Sequence, residues 1–224
     1  MTTRIIPAST VVLARSSEHD DIEIYVQQRQ STMEYAAGMV VFPGGGVEPE
    51  DYPLQISVDP VTNQQAELLH TSVDALDGTR EAALRELHEE TGLDLKEHTH
   101  RLLPLDRWIT PALPEFKRRY DATTFILDCA STLNPAHQTT EATSSFWASP
   151  RELLEQWGLG KIRLLPPTWW HLKQFAQYNS VDELVESAMN PGRPTVFKDW
   201  EADPADMHEY YARASVNGQP LTAL

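Results

Sequence analysis

The chain alternates between two spacings of apolar residues. Residues 9–15 (STVVLAR) and 22–28 (IEIYVQQ) are β-branched runs of strand length. The polar SSEHDD between them predicts a hairpin. A third apolar run, MVVF at 39–42, is stopped by PGGG at 43–46. Residues 52–78 have no clear period and read as an excursion with a short helix near 64–70. From Gly78 the period turns helical in GTREAALRELHEETGL, where Leu84, Leu87 and Thr91 share one face and Gly92 is placed to end the helix. Strands follow at 101–109 and 122–129.

Ser149-Pro150-Arg151-Glu152 is a capping box with proline at the first helical position, opening a helix that Gly158 closes. PPTWWHLKQFAQY predicts a helix from about residue 167. Ser180-Val181-Asp182-Glu183 opens a further helix that ends at Asn190-Pro191-Gly192. Residues 191–224 show no period and read as an arm or tail. Strands, a helix, strands and a helix in one domain predict an α+β fold, a sheet covered by helices.

Composition narrows the function classes. Hydrophobic residues make up 41% and charged residues 23% of 224, which is ordinary for a globular domain. Thirty-three acidic residues against 18 basic ones give a net charge of −15, against non-specific nucleic-acid binding. A small anionic substrate would need a metal ion or a local cluster of bases. No apolar run approaches the length of a membrane span or a secretory signal. The lone Cys129 rules out an intramolecular disulfide and any cysteine-based zinc site, and a reducing cytosol is the simplest compartment.

In so acidic a chain, the stretch RELHEETGL at 85–93 is costly. Glu86, Glu89 and Glu90 fall within a sector about 100° wide on the helix. The 86–90 pair repels at i,i+4 by roughly 0.2–0.5 kcal/mol. Glu89 and Glu90 also face the negative end of the helix dipole, at about 0.3–1 kcal/mol each. Arg85 offsets part of this through Glu89. A divalent cation reverses the sign of the arrangement, since Mg²⁺ takes one or two carboxylates together with phosphate and water oxygens. Upstream, FPGGG at 42–46 is either a tight turn or a backbone segment that lets phosphate approach closely.

These residues resemble the Nudix hydrolases, whose box reads G-x5-E-x7-R-E-U-x-E-E-x-G-U with U a bulky aliphatic. Arg85 to Leu93 matches the second half throughout. Gly45 matches in the first half, and Asp51 stands where the family has Glu. Thirty-three residues separate Asp51 from Arg85, so the box is split by an insertion at about 52–78.

The resemblance implies an α/β/α sandwich with a mixed sheet over 1–165, a helical extension over 166–190 and a tail beyond. It implies Mg²⁺ or Mn²⁺ held by Glu86, Glu89 and Glu90, with Arg85 orienting a glutamate and Gly44, Gly45 and Gly46 near the phosphates. The general base is Glu89 or Glu141. The segment Arg29-x8-Gly38-x3-FPGG looks like coenzyme A and acyl-CoA diphosphatases, although Glu34 stands where they often have a second arginine. RWITP at 107–111, RRYDATTF at 118–125, Glu141-x5-Trp147 and LLPPT at 164–168 look like the same branch.

Arg29 and the cluster Lys117-Arg118-Arg119 are candidates for the substrate's phosphates, the cluster being equally readable as a solvated turn. Trp108, Trp169 and Trp170 read as core, with adenine stacking or an acyl channel as the alternative. His98 and His100 read as loop. The expected partner is a nucleoside diphosphate-type small molecule, in coenzyme A first and ADP-ribose or a nucleotide sugar second, with no nucleic acid and no membrane. A homodimer is compatible with this reading. A non-catalytic nucleotide-binding module predicts a damaged RExxEE, and here it is intact.

Overall fold

The computed structural model describes residues 4–17, 21–52, 54, 59–95, 101–112, 118–129, 133–189, 195–198 and 204–216. Within them lies one eight-stranded mixed sheet. β1 (Ile5–Ser16) runs through its middle, parallel to β6 (Arg119–Asp128) from Ile5↔Arg119 to Ala14↔Asp128. β6 pairs antiparallel with β5 (Leu103–Ile109), which pairs in parallel with β8 (Thr195–Lys198).

On its other edge β1 pairs antiparallel with β2 (Ile22–Arg29), but only near the hairpin, over Ala14–Ser16 and Ile22–Ile24. Beyond that point the two strands take different partners. β3 (Val40–Val41) pairs with β2 at Gln27–Gln28, and β4 (Gly44–Gly46) pairs with β1 at Ala8–Thr10. Val11 N–H donates to Pro43 O at 2.8 Å, so the FPGGG segment is a short piece of sheet rather than a plain stop. β7 (Ala142–Ala148) covers the far edge of β2.

The β1 run VVLA is buried on both faces because helices cover both. Val11 and Leu13 pack with Ala66, Leu69, Leu76, Ala83, Leu84 and Leu87 of α1 (Pro60–Leu68), the turn after it and α2 (Val73–Thr91). Val12 and Ala14 face the second cluster, built on α3 (Pro150–Gly158), α4 (Pro166–Phe175), α5 (Val181–Ala188) and α6 (Pro204–Val216). The α+β architecture and the added C-terminal helices follow the expectation. No helix among the described residues is long and apolar enough to cross a membrane.

Local signals place most element ends. Ser149 Oγ and Ser180 Oγ accept from the backbone N–H of Glu152 and Glu183, each at 3.2 Å, as the two capping boxes predict. The expected helix near 64–70 starts earlier, at Pro60, because Asp59 caps it through Val61 N–H and Thr62 N–H. α2 also starts before Gly78, capped by Ser72. Gly78 sits inside this helix because Tyr52 packs against it: an added Cβ would lie 2.9 Å from the Tyr52 ring.

Residues 204–216, for which the sequence shows no period, form α6. Tyr210 is 1% exposed, stacks on Trp157 at 5.6 Å and donates its hydroxyl to Leu164 O at 2.8 Å. Lys173 of α4 reaches Asp206 at 2.8 Å and Glu209 of the same helix. Tyr210→Ala is expected to cost about 3–5 kcal/mol in chemical denaturation, the loss typical of truncating a buried aromatic.

Candidate active site

β4 and the last turns of α2 lie against each other through the glycines. Gly44 has φ of +147°, and an added Cβ would lie 2.3 Å from Ser9 O, so only glycine fits. Its N–H donates to Glu90 Oε2 at 3.1 Å. At Gly45 an added Cβ would lie 2.1 Å from Glu86 Oε1, so the bare backbone sits directly on that carboxylate. The stop signal at Gly92 ends α2 in the left-handed region, with its N–H on His88 O.

Arg85 joins three segments. Its Nε and Nη2 donate to the two oxygens of Asp51 at 3.0 and 2.9 Å, and Nη2 also donates to Gly46 O at 2.8 Å. Its Nη1 donates to Glu86 Oε1 at 2.8 Å and lies 3.7 Å from Glu89. Asp51 closes a 3₁₀ turn at Pro49–Asp51 and accepts from Glu48 N–H at 2.8 Å. The shorter Asp thus meets the arginine bidentately across 33 intervening residues that include α1 and the first turns of α2. These bonds, with Asp51 first among them, raise the already high Arg85 pKa.

The carboxylates are strained by their company. Burial pushes Glu90 up to about 8, opposed by the Gly44 bond and reinforced by Glu86 and Glu141. Glu86 is raised for the same leading reason, with Arg85 opposing and Glu89 and Glu141 adding. Glu89 is over half exposed.

A cavity of about 530 Å³ opens beside these groups. Gly44, Gly45, Gly46, Glu86 and Glu141 line it, and Glu89 does not. Phe42, Trp108, Leu165, Thr168 and His171 form its buried end. Exposed residues mark its mouth, among them Glu34 and Arg118 beside the Tyr35–Tyr120 ring pair.

Arg29 lines the cavity and donates to Glu141 Oε2 at 3.3 Å and to Tyr35 O at 3.2 Å. Arg118 pairs with Glu34. Arg119 instead turns its Nε to Thr110 O at 3.0 Å and does not line the cavity. Lys117, His98 and His100 lie outside the described residues. Of the tryptophans Trp108 reaches the cavity, whereas Trp169 and Trp170 pack in the core.

The cavity wall also holds what the sequence did not single out. His171 Nε2 lies 2.8 Å from Asp106 Oδ2, with both side chains buried, and this contact ties α4 to β5. Sixty-five positions separate the two, and neither carries a local motif.

Among the described residues, no three His, Cys, Asp or Glu side chains gather closely enough to hold an ion by themselves. The donor chemistry nonetheless fits a hard divalent cation, with carboxylates destabilised by burial and by one another. Gly45→Ala is expected to displace Glu86 and to lower activity by about 10²-fold, the effect of roughly 1 Å of misplacement, with the circular dichroism spectrum unchanged.

Residues 61–167 match the family model of the NUDIX domain. No curated protein matches the chain. The NUDIX hydrolase from Alicyclobacillus acidocaldarius superposes with a TM-score of 0.66 at 22% identity, covering 83% of this chain and 97% of that one. The NUDIX domain of Shewanella oneidensis NrtR, crystallised with ADP ribose, gives 0.49 at 13% identity over 78% of this chain and 88% of that one. A C. elegans Ap4A hydrolase gives 0.45 at 15% identity over 77% and 96%. Residues 61–167 are thus similar to the NUDIX domain, and the chain has the fold of the NUDIX hydrolase from Alicyclobacillus acidocaldarius.

Proposed function

We propose that the protein hydrolyses the P–O–P bond of a nucleoside diphosphate-linked compound, with Mg²⁺ or Mn²⁺ as cofactor. Coenzyme A or acyl-CoA is the first candidate, from the resemblance around Arg29 and FPGG. One observation carries the reading: Glu86 and Glu141 share a cavity wall with the glycine strand, and Glu90 stands directly behind Gly44. ADP-ribose or a similar compound is the second reading, favoured by the carboxylate of Glu34 at the cavity mouth.

Glu86 and Glu90, with Glu89 on the same ridge, would hold the cation, which when bound neutralises phosphate charge and acidifies water. Arg85 positions Glu86 and keeps the glycine strand against α2. The strand offers backbone without side chains, so phosphate oxygens approach closely. Glu141 is the general base of this reading, because it faces the cavity and Glu89 does not. It takes a proton from the attacking water as that oxygen bonds to one phosphorus and the bridging oxygen leaves with the other phosphate. Arg29 holds the Glu141 carboxylate in place.

The test is a panel of coenzyme A, acyl-CoAs, ADP-ribose, NADH and nucleoside triphosphates with Mg²⁺ or Mn²⁺, with products identified by mass spectrometry. Coenzyme A should give 3′,5′-ADP and 4′-phosphopantetheine. Absence of turnover across the panel by folded protein would sink the reading. Glu90→Gln should remove nearly all activity. It should also raise the metal-free melting temperature by a few degrees, because a buried carboxylate becomes an uncharged amide that can still accept from Gly44. Glu141→Gln should lower kcat by about 10²–10⁴, the usual contribution of a general base. Glu89→Gln should lower it far less, and the reverse order would transfer the role to Glu89.

A further inference from the structure

Among the described residues, the charged side chains lining the cavity are three carboxylates, Glu34, Glu86 and Glu141, and two guanidiniums, Arg29 and Arg118. Each guanidinium already has a carboxylate partner, Arg29 on Glu141 and Arg118 on Glu34. The two pairs differ in depth. Arg29 is largely buried and also donates to Tyr35 O, so its pair belongs to the wall. Arg118 and Glu34 are half or more exposed and meet across the mouth, from segments 84 positions apart. Tyr35 and Tyr120, with ring centroids 4.6 Å apart, line the cavity beside them. The mouth is therefore a tilted aromatic pair flanked by an arginine whose charge is taken up and by a carboxylate that can accept hydrogen bonds.

Resting on the diphosphatase reading above, and favouring its second candidate class over coenzyme A, we infer that Glu34 is a specificity-determining residue. It selects diphosphate compounds whose nucleoside arm carries free ribose hydroxyls and disfavours those with a further phosphate there. The reacting diphosphate has the metal glutamates for its charge. A phosphate monoester on the ribose adds about −1.5 to −2 more. At this mouth it meets the Glu34 carboxylate and an Arg118 already engaged. A ribose hydroxyl instead donates to the same carboxylate and requires no cation. Because the pair is exposed, the discrimination is moderate and weakens with salt.

The experiment uses two matched pairs, coenzyme A against 3′-dephospho-coenzyme A and NADP against NAD. Each pair differs by one phosphate on the ribose. With Mg²⁺, the wild-type protein should show kcat/KM about five- to tenfold higher for the member without that phosphate. The ratio should shrink as ionic strength rises. E34Q keeps the size, removes the charge and frees Arg118, so it should bring the ratio close to one, and E34R should invert it. Glu34 is exposed, so neither variant threatens folding. Equal kcat/KM within both pairs, or a ratio that E34Q leaves unchanged, overturns the inference and leaves the diphosphatase reading standing. No hydrolysis of any of the four compounds overturns the inference, and the diphosphatase reading falls with it only when the wider panel is also left intact.

Discussion

One guanidinium holds the candidate site of this molecule in register. Arg85 grips Asp51 with two bonds, the carbonyl of Gly46 with a third and Glu86 with a fourth. The glycine strand, the 3₁₀ turn and the acidic helix are therefore positioned by the same rigid fork. The stretch between Asp51 and Arg85 includes α1 and the first turns of α2, both packed on the sheet. Asp51 is 7% exposed, and Arg85 is its ion-pair partner at 2.9 Å.

Against this anchor the carboxylates of α2 are held where they are least comfortable. Glu90 is buried behind Gly44, and Glu86 lies under Gly45 with Glu141 near both. Burial and mutual repulsion both favour protonation, which is the opposite of what stability alone would select. Sites that break local rules together in this way tend to be functional, with the cost met by packing elsewhere. Here that packing is extensive: α2 lays Leu76, Ala83, Leu84 and Leu87 on the sheet, all buried.

The opposite face of the sheet supplies the cavity. Its floor is aromatic, and α4 is fixed over it by the His171–Asp106 contact and by the Lys173 contacts to α6. Trp157, Trp169 and Tyr210 interlock beneath, with ring centroids 5.5–5.6 Å apart. The C-terminal helix thus supports the wall of the candidate site from behind. The acidic residues of α2 and the buried end of the cavity come from different elements, and the glycine strand, paired with β1, lies beside both.

Signals whose physics is local were legible in the chain. A serine three positions before a glutamate satisfies the first turn of its own helix, so Ser149 and Ser180 mark α3 and α5 without reference to anything distant. The same holds for the ridge of Glu86, Glu89 and Glu90, set by helical spacing, and for Gly92, which must end the helix. What tertiary structure decided was every pairing between remote segments: Arg29 with Glu141, Arg118 with Glu34, His171 with Asp106, and Asp51 with Arg85. It also made a strand of the three glycines, kept Gly78 inside a helix to admit Tyr52, and gave α6 its reason to form in the aromatic pocket around Tyr210. Spacing along a helix is a property of the chain. Which charge meets which, and which apolar face finds cover, depends on the path the backbone takes between them.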